Sequence, residues 1–363
     1  MTDRRPIVVD CDTGIDDSLA LLYLCASDDA ELVAVTCCSG NVEAHQVADN
    51  NRGLLELIGQ GDVEVALGRT VPLVRPLEIT PETHGPRGIG YAELPAGRRP
   101  LSERHAADLI AEEARRRPHE LTLLCIGPLT NLAVALQREP ALPRLLRRLV
   151  IMGGAFRVPG NTTPVSEWNI HCDPDAARAV LGAWTAAIEA DPSVPRLLAL
   201  GLDVTEQAVI RPDEVVAIDR RAGSQPDDAI ALAHGEDPMQ ATRSVAGNPV
   251  VRFVADALRF YMEFHATYDG FYGAFIHDPL AAAAALDETL VRTQALAVDV
   301  ETGGELAAGQ TIADFRGLWH RRPNVDVAMT ADADEFIRRL VERVGGLAER
   351  VAAVAAEPPN VAP

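Results

Sequence analysis

The sequence predicts an α/β protein: an open, mostly parallel sheet flanked by helices, with the site at the carboxyl ends of the strands. Three observations carry that expectation. Short apolar runs alternate with amphipathic helical runs along most of the chain, the pattern of repeated βαβ units. Polar clusters follow Val9, Thr36, Leu124, Met152 and Leu202, where strands are expected to end, and parallel sheets bind ligands beyond those ends. The chain has 363 residues, 47% of them hydrophobic, enough for a sizeable core.

In chain order, residues 7–9 read as a strand and 18–25 as a helix. ELVAVTCCSGN reads as a second strand closed by a Gly-Asn turn. HQVADNNRGLLELIG sets Val47, Leu54, Leu55 and Ile58 at helical spacing. VEVALG is a short strand, and ERHAADLIAEEARRRP an amphipathic helix stopped at Pro118. ELTLLCIGPLTNLAVALQREP reads as strand, Gly-Pro turn and helix, and RRLVIMGGAF as a strand ending in Gly-Gly. DPDAARAVLGAW opens a helix with Asp173 as its cap and Pro174 at the first position. RLLALGLDVT is a further strand. Residues 211–249 are polar and weakly periodic, and are expected to form helix and loop outside the sheet. One domain is expected over residues 1–345, with the Ala/Pro-rich residues 346–363 fraying.

The chain carries 33 basic and 53 acidic residues, a net charge of −20. Nucleic acid and anionic membranes are repelled by such a surface, so neither is an expected partner. Apart from histidine, every basic residue is arginine. Without lysine, Schiff-base and catalytic-ammonium mechanisms are excluded. MTDRRPIVVD has no signal-like apolar stretch, and no apolar run reaches the ~18–20 residues of a membrane span; a cytoplasmic protein is expected. The six cysteines form no C-x-x-C pair, which argues for reduced core thiols and against zinc.

The chemistry concentrates in VVDCDTGIDDSLALLYL, where Asp10, Asp12, Asp16 and Asp17 fall within eight residues. One or two of them can cap the following helix. Four repel one another unless a cation joins them, and all-oxygen ligands suit Ca²⁺ or Mg²⁺. An EF-hand loop counted from Asp10 needs a glutamate where Leu21 stands. A phosphatase of the haloacid-dehalogenase type, with Asp10 as nucleophile, wants Thr or Val at Gly14 and usually a downstream lysine. A D-x-D-x-G-x-D-D metal site uses all four acids.

That motif at the end of an N-terminal strand resembles the signature of the nucleoside hydrolases, the inosine-uridine-preferring nucleoside N-ribohydrolase family. TCCSGN with Asn41, HGPRGIG with His84, IGPLTNLA, IMGGAF with Met152, NTTPVSEWNIHCDPDAA, GLDVT and FIHDP follow in the family's order. They span residues 6 to 330, and Thr13 replaces the proline of many members. The resemblance implies the Rossmann-like nucleoside hydrolase fold, one bound Ca²⁺, a ribonucleoside substrate and a homodimer or homotetramer. It implies Asp12 as the base that takes the proton of a Ca-bound water. Asp10, Asp17, Asp278 and the Ile126 carbonyl are then further metal ligands. Asp16, Asn41, Asn161, Glu167 and Asn169 are implied to hold ribose. A ribosyl C–N bond breaks through an oxocarbenium-like sugar, which a carboxylate-rich site stabilises.

For several residues two readings stay open. NTTPVSEWN is also an ordinary polar loop, with Trp168 as packing. Met152 is equally a core residue, and His84 a surface histidine. The HDP run of His277, Asp278 and Pro279 also reads as an Asp cap with Pro at the first helical position. His277 is the expected proton donor to the leaving base. Tyr268 and Tyr272 either stack on the base or simply pack. Two rivals to hydrolysis of the N-glycosidic bond are the Mg²⁺-dependent phosphohydrolase and a non-catalytic binder of ribosyl ligands.

Overall fold

The computed structural model describes residues 4–223 and 243–356. The strands are β1 (Arg5–Cys11), β2 (Ala30–Cys37), β3 (Glu64–Leu67), β4 (Thr122–Cys125), β5 (Arg148–Met152) and β6 (Leu197–Leu200). Then come β7 (Val209–Ile210), β8 (Ala274–Phe275), β9 (Val291–Leu296), β10 (Val298–Val300), β11 (Thr311–Ala313) and β12 (Val325–Ala331). Eight of them form one sheet in the order β3-β2-β1-β4-β5-β6-β12-β9. Every neighbouring pair in it is parallel except β12 with β9. β7 pairs with β8, and β10 with β11, in two small antiparallel ribbons. This is the open, mostly parallel α/β sheet that the alternation of runs predicts.

The central strands β4, β5 and β6 are almost wholly apolar because both faces of the sheet are covered there, whereas the edge strand β9 has four exposed residues. Ile7 and Val9 belong to one apolar cluster and Val8 to the other, as the two-residue side-chain period of a strand requires. Full burial of each such side chain contributes about 1.5–3 kcal/mol.

The strand order reverses direction between β1 and β4, where successive crossovers leave on opposite sides. A crevice opens beyond the strand ends at such a point. Asp12 follows β1 there, and Ile126 follows β4.

Several boundaries differ from the sequence reading. The first helix spans Ile15–Cys25 and so starts three residues before Ser18. Asp17 sets that start by reaching back to the Gly14 N–H at 2.8 Å. The helix His277–Leu286 has Ile276 at its cap position, so Asp278 lies inside the first turn and is not the cap. The final helix runs Ala333–Ala356, which replaces expected fraying with helix over residues 346–356. Its middle is held by Arg221, which meets Glu342 at 3.1 Å and Glu349 at 2.7 Å. Gly345 makes room for that arginine, since a Cβ there would lie 2.6 Å from the Arg221 Cβ. In the polar stretch 211–249, Pro212–Arg221 and the start of Pro249–Tyr268 are helical. Residues 224–242, like 357–363, lie outside the described residues.

Candidate active site

A cleft of about 570 Å³ opens over the switch point. Its floor is acidic. One carboxylate oxygen each of Asp16, Asp17 and Asp278 lie within 4.8 Å of one another, and all three residues are buried. Asp16 and Asp17 arrive on the first turn of the helix after β1, Asp278 on the first turn of the helix after β8. Asp17 accepts from the N–H groups of Gly14 at 2.8 Å and Asp12 at 3.3 Å, and hydrogen-bonds Asp278. Asp12 is fully buried. Its Oδ2 accepts from the Asn41 N–H at 2.7 Å, while its Oδ1 has no partner. Gly40 and Gly127 leave space for this carboxylate: a Cβ would come within 2.1 Å of Oδ2 at Gly40 and 2.7 Å of Oδ1 at Gly127.

Burial and mutual repulsion oppose charge here. Asp16 is pushed up to about 8, chiefly by burial and next by Asp17. Asp12 and Asp278 are held well above the usual carboxylate range by burial and by their neighbouring aspartates. Such a group of oxygens holds protons or a cation. The unpartnered Asp12 Oδ1 and the converging oxygens suit a hard divalent cation of the Ca²⁺ or Mg²⁺ kind.

The four aspartates divide. Asp16, expected on the sugar, joins the three-carboxylate cluster and also lines the cleft, and Asp12 lies next to that cluster with its N–H bonded to Asp17. Asp10 does not line the cleft. It sits two residues upstream of Asp12 within β1, roughly 6–7 Å deeper at strand rise. Its Oδ1 is held by Thr36 at 2.6 Å and Asn131 at 2.8 Å. Burial raises it to about 6.

The walls nearest the floor are polar. Glu167 caps the short helix Trp168–Cys172 and accepts from the N–H groups of Asn169 (2.8 Å), Gly154 (2.9 Å) and Ile170 (3.1 Å). Asn169 donates its side-chain amide to the carbonyls of Ile126 at 3.0 Å and Met152 at 3.2 Å. Asn41 sends its amide to Asp17 at 3.2 Å. Asn161, at the exposed rim, accepts from the Trp168 N–H at 3.0 Å. All of these, with Met152 and Trp168, line the cleft.

The far wall is aromatic and rests on the helix Pro249–Tyr268, which contributes Tyr261, Phe264, His265 and Tyr268. His84 is buried, not at the surface. Its Nδ1 accepts from the Ile15 N–H at 3.2 Å, and its ring lies 5.2 Å from Tyr261. Burial depresses His84 to about 3. His277 also lines the cleft, with Nδ1 2.8 Å from the Thr205 hydroxyl, and burial depresses it likewise to about 3. Tyr268 stands at the rim, 67% exposed. Tyr272 does not line the cleft; it packs against the main apolar cluster. Sequence reasoning missed Tyr261, Phe264 and His265, whose only signal is a helical spacing shared with core residues.

Fold and site together define an α/β enzyme with a metal-competent carboxylate floor beneath a mixed polar and aromatic cleft. The profile of the inosine-uridine preferring nucleoside hydrolases matches residues 7–338, and the chain belongs to that family. It is 34% identical over 340 residues to the pyrimidine-specific ribonucleoside hydrolase RihA of Citrobacter koseri, covering 93% of this chain and 97% of that protein. The Salmonella arizonae RihA is equally similar, at 34% identity over 93% of this chain and 98% of its own. Among solved structures, the purine-preferring ribonucleoside hydrolase from Gardnerella vaginalis superposes with a TM-score of 0.81 at 29% identity, covering 95% of this chain and all of that one. A plant nucleoside hydrolase, PpNRh1, gives 0.80 at 26% identity, over 94% and 99% of the two chains.

Proposed function

We propose that this enzyme hydrolyses the N-glycosidic bond of ribonucleosides to give ribose and free nucleobase, with Ca²⁺ as its metal. One observation carries the reading: the buried carboxylates of Asp16, Asp17 and Asp278 converge at the cleft floor, next to Asp12, whose N–H bonds to Asp17 and whose Oδ1 has no partner. Asp12, Asp17, Asp278 and the Ile126 carbonyl would hold the cation, with Asp10 supporting Asp12 from below. The bound ion supplies positive charge that acidifies water and anchors sugar hydroxyls.

The chain's own groups do the rest. Asp12 accepts the proton of the attacking water, whose oxygen bonds to the anomeric carbon as the C–N bond breaks. Asp16, Asn41, Asn161, Glu167 and Asn169 hold the ribose hydroxyls, with Met152 against the sugar. The carboxylates also favour the developing oxocarbenium charge. The base leaves with the bonding electron pair, between His84 and His277, with Tyr268 at the rim. Since burial keeps His277 neutral, it acts by donating a hydrogen bond from its ring N–H, not from an imidazolium.

The cleft also speaks against a phosphate ester. No arginine lines it among the described residues, whereas six carboxylates do: Asp16, Glu82, Glu167, Glu206, Asp269 and Asp278. Asp10, the nucleophile of the phosphohydrolase reading, lies within β1 with its Oδ1 taken by Thr36 and Asn131. A cytoplasmic homodimer or homotetramer accompanies the reading. No described helix is long and apolar enough to cross a membrane.

Ribose release from inosine, adenosine, guanosine, uridine and cytidine tests the proposal. At least one is expected to yield ribose. Phosphate release from phosphate esters with no ribose from any nucleoside would replace it.

A further inference from the structure

The helix Ala44–Leu57 carries two adjacent buried asparagines in its interior, Asn50 and Asn51. Asparagine is a poor helix former, and a buried amide must find partners. Asn51 is fully buried and takes a core position, one turn after Val47 and one turn before Leu55, both in the main apolar cluster. Its Nδ2 donates to the thiols of Cys37 at 3.3 Å and Cys11 at 3.4 Å, which stand opposite each other at the ends of β2 and β1. Its Oδ1 accepts from the Thr13 hydroxyl at 2.7 Å. Thiols are weak acceptors, so the hydroxyl is the strong partner of this amide. Asn50 reaches the backbone of the same residue, donating to the Thr13 carbonyl at 3.3 Å and to the Arg87 carbonyl at 2.7 Å. Thr13 is itself fully buried between Asp12 and Gly14, whose N–H groups both bond Asp17. Neither Thr13 nor either asparagine lines the cleft.

We propose that Asn51 and Thr13 form a positioning pair for the carboxylate floor: the amide, seated against the ends of β1 and β2, holds the Asp12–Gly14 turn through the Thr13 hydroxyl and so fixes Asp12 against Asp16 and Asp17. The inference rests on the ribonucleoside reading above. The turn has to be held from outside the floor, because carboxylates crowded there repel one another whenever more than one is charged. A loosened turn would let that repulsion move Asp12 away from Asp17. The pair acts only through where the carboxylates stand, on the water's proton through Asp12 and on the cation through the whole group.

Thr13→Val and Asn51→Leu remove the two partners, singly and together, with little change of shape. Ca²⁺ affinity is read by chelator competition, kcat by ribose release, and Tm by thermal unfolding. Each single variant is expected to weaken Ca²⁺ binding and lower kcat about 10-fold or more, the scale of losing a group that orients metal-site ligands. The double variant removes both polar groups, so its Tm should recover towards the parent value. Its Ca²⁺ affinity and kcat should stay as low as in the single variants, because the two residues act as one unit. Thr13→Ser keeps the hydroxyl and should remain within a few-fold of the parent. Ca²⁺ affinity and kcat that recover together with Tm in the double variant, or that never fall in the single ones, overturn the inference: the pair then serves stability alone, and hydrolysis stands. A Thr13→Ser variant as impaired as Thr13→Val overturns it too. If a single variant does not fold, the double variant decides by the same criterion. Absence of ribose release from every nucleoside in the parent enzyme overturns the reading beneath it.

Discussion

The two ends of the cleft are built by opposite strategies. The floor is electrostatic and over-determined: Asp12, Asp16 and Asp17 come from one turn after β1, and backbone N–H groups hold Asp12 and Asp17 in place. The opposite wall is a stack of rings on one long helix, with few polar contacts and an exposed rim residue, Tyr268. The floor suits what all ribonucleosides share, a sugar and a developing positive charge. The wall suits what differs among them, the base. Among the relatives, the Citrobacter protein is named for pyrimidines and the Gardnerella protein for purines. The contrast implies that perturbing the floor abolishes turnover of every substrate, while perturbing the wall redistributes rates among bases.

The largest expected effect comes from the sugar. A 2′-deoxyribonucleoside would leave the buried partners of the 2′-hydroxyl unmet, and should be turned over about 10⁴-fold less efficiently. Equal rates for inosine and 2′-deoxyinosine would remove the sugar from the floor. Next is Asp12→Asn, nearly isosteric but unable to take the water's proton. Its kcat should fall about 10²–10⁴-fold with KM largely kept, on every base alike. A loss confined to one base, or a change of only a few-fold, would move the base function to another residue.

At the wall, His277→Ala should slow inosine cleavage roughly 10²-fold, the lower end for losing help to a leaving group. p-Nitrophenyl riboside, whose phenolate departs unaided, should slow far less. Equal slowing would make His277 part of the sugar site, blurring the division between floor and wall.

The smallest effect concerns stability. Burial raises Asp10 to about 6 and Asp16 to about 8 in the folded chain. An acid whose folded value is raised contributes stability below its unfolded value near 4, and loses it as pH climbs through the folded value. Metal-free protein should therefore lose Tm steadily between about pH 4 and pH 8. Metal-loaded protein should show a flatter profile, because the cation favours the charged carboxylates. Parallel pH profiles for the two forms would mean that these acids do not respond to a metal.

The same contrast explains what the sequence disclosed. The floor was legible because D-x-D-x-G-x-D-D is local: strand end, turn and helix start are contiguous, so four carboxylates in that span must crowd. The parallel order of β1 to β6 was legible from its apolar runs. Of the wall the sequence singles out only Tyr268; Tyr261, Phe264 and His265 repeat at the spacing of an ordinary amphipathic helix, and only tertiary packing turns that face to the cleft. Asp10 was placed with the metal because spacing cannot tell depth along a strand from position at its end. For Asp278 the metal-ligand reading and the helix-cap reading of HDP both stand open in the sequence; the cap reading fails because the helix starts at His277, which leaves the carboxylate to face Asp17. β9 and β12 were missed: β9 is the sheet's antiparallel edge, and its run of four exposed residues, three of them polar, carries no strand pattern.

The central claim is that the carboxylate floor works as a metal site for ribosyl hydrolysis. It is tested most directly by measuring bound metal and ribose release on one preparation, before and after stripping and after adding back Ca²⁺. The account predicts about one Ca²⁺ per chain, as one all-oxygen site implies, with ribose release lost on stripping and restored by the ion. Undiminished ribose release from rigorously metal-free protein would contradict it.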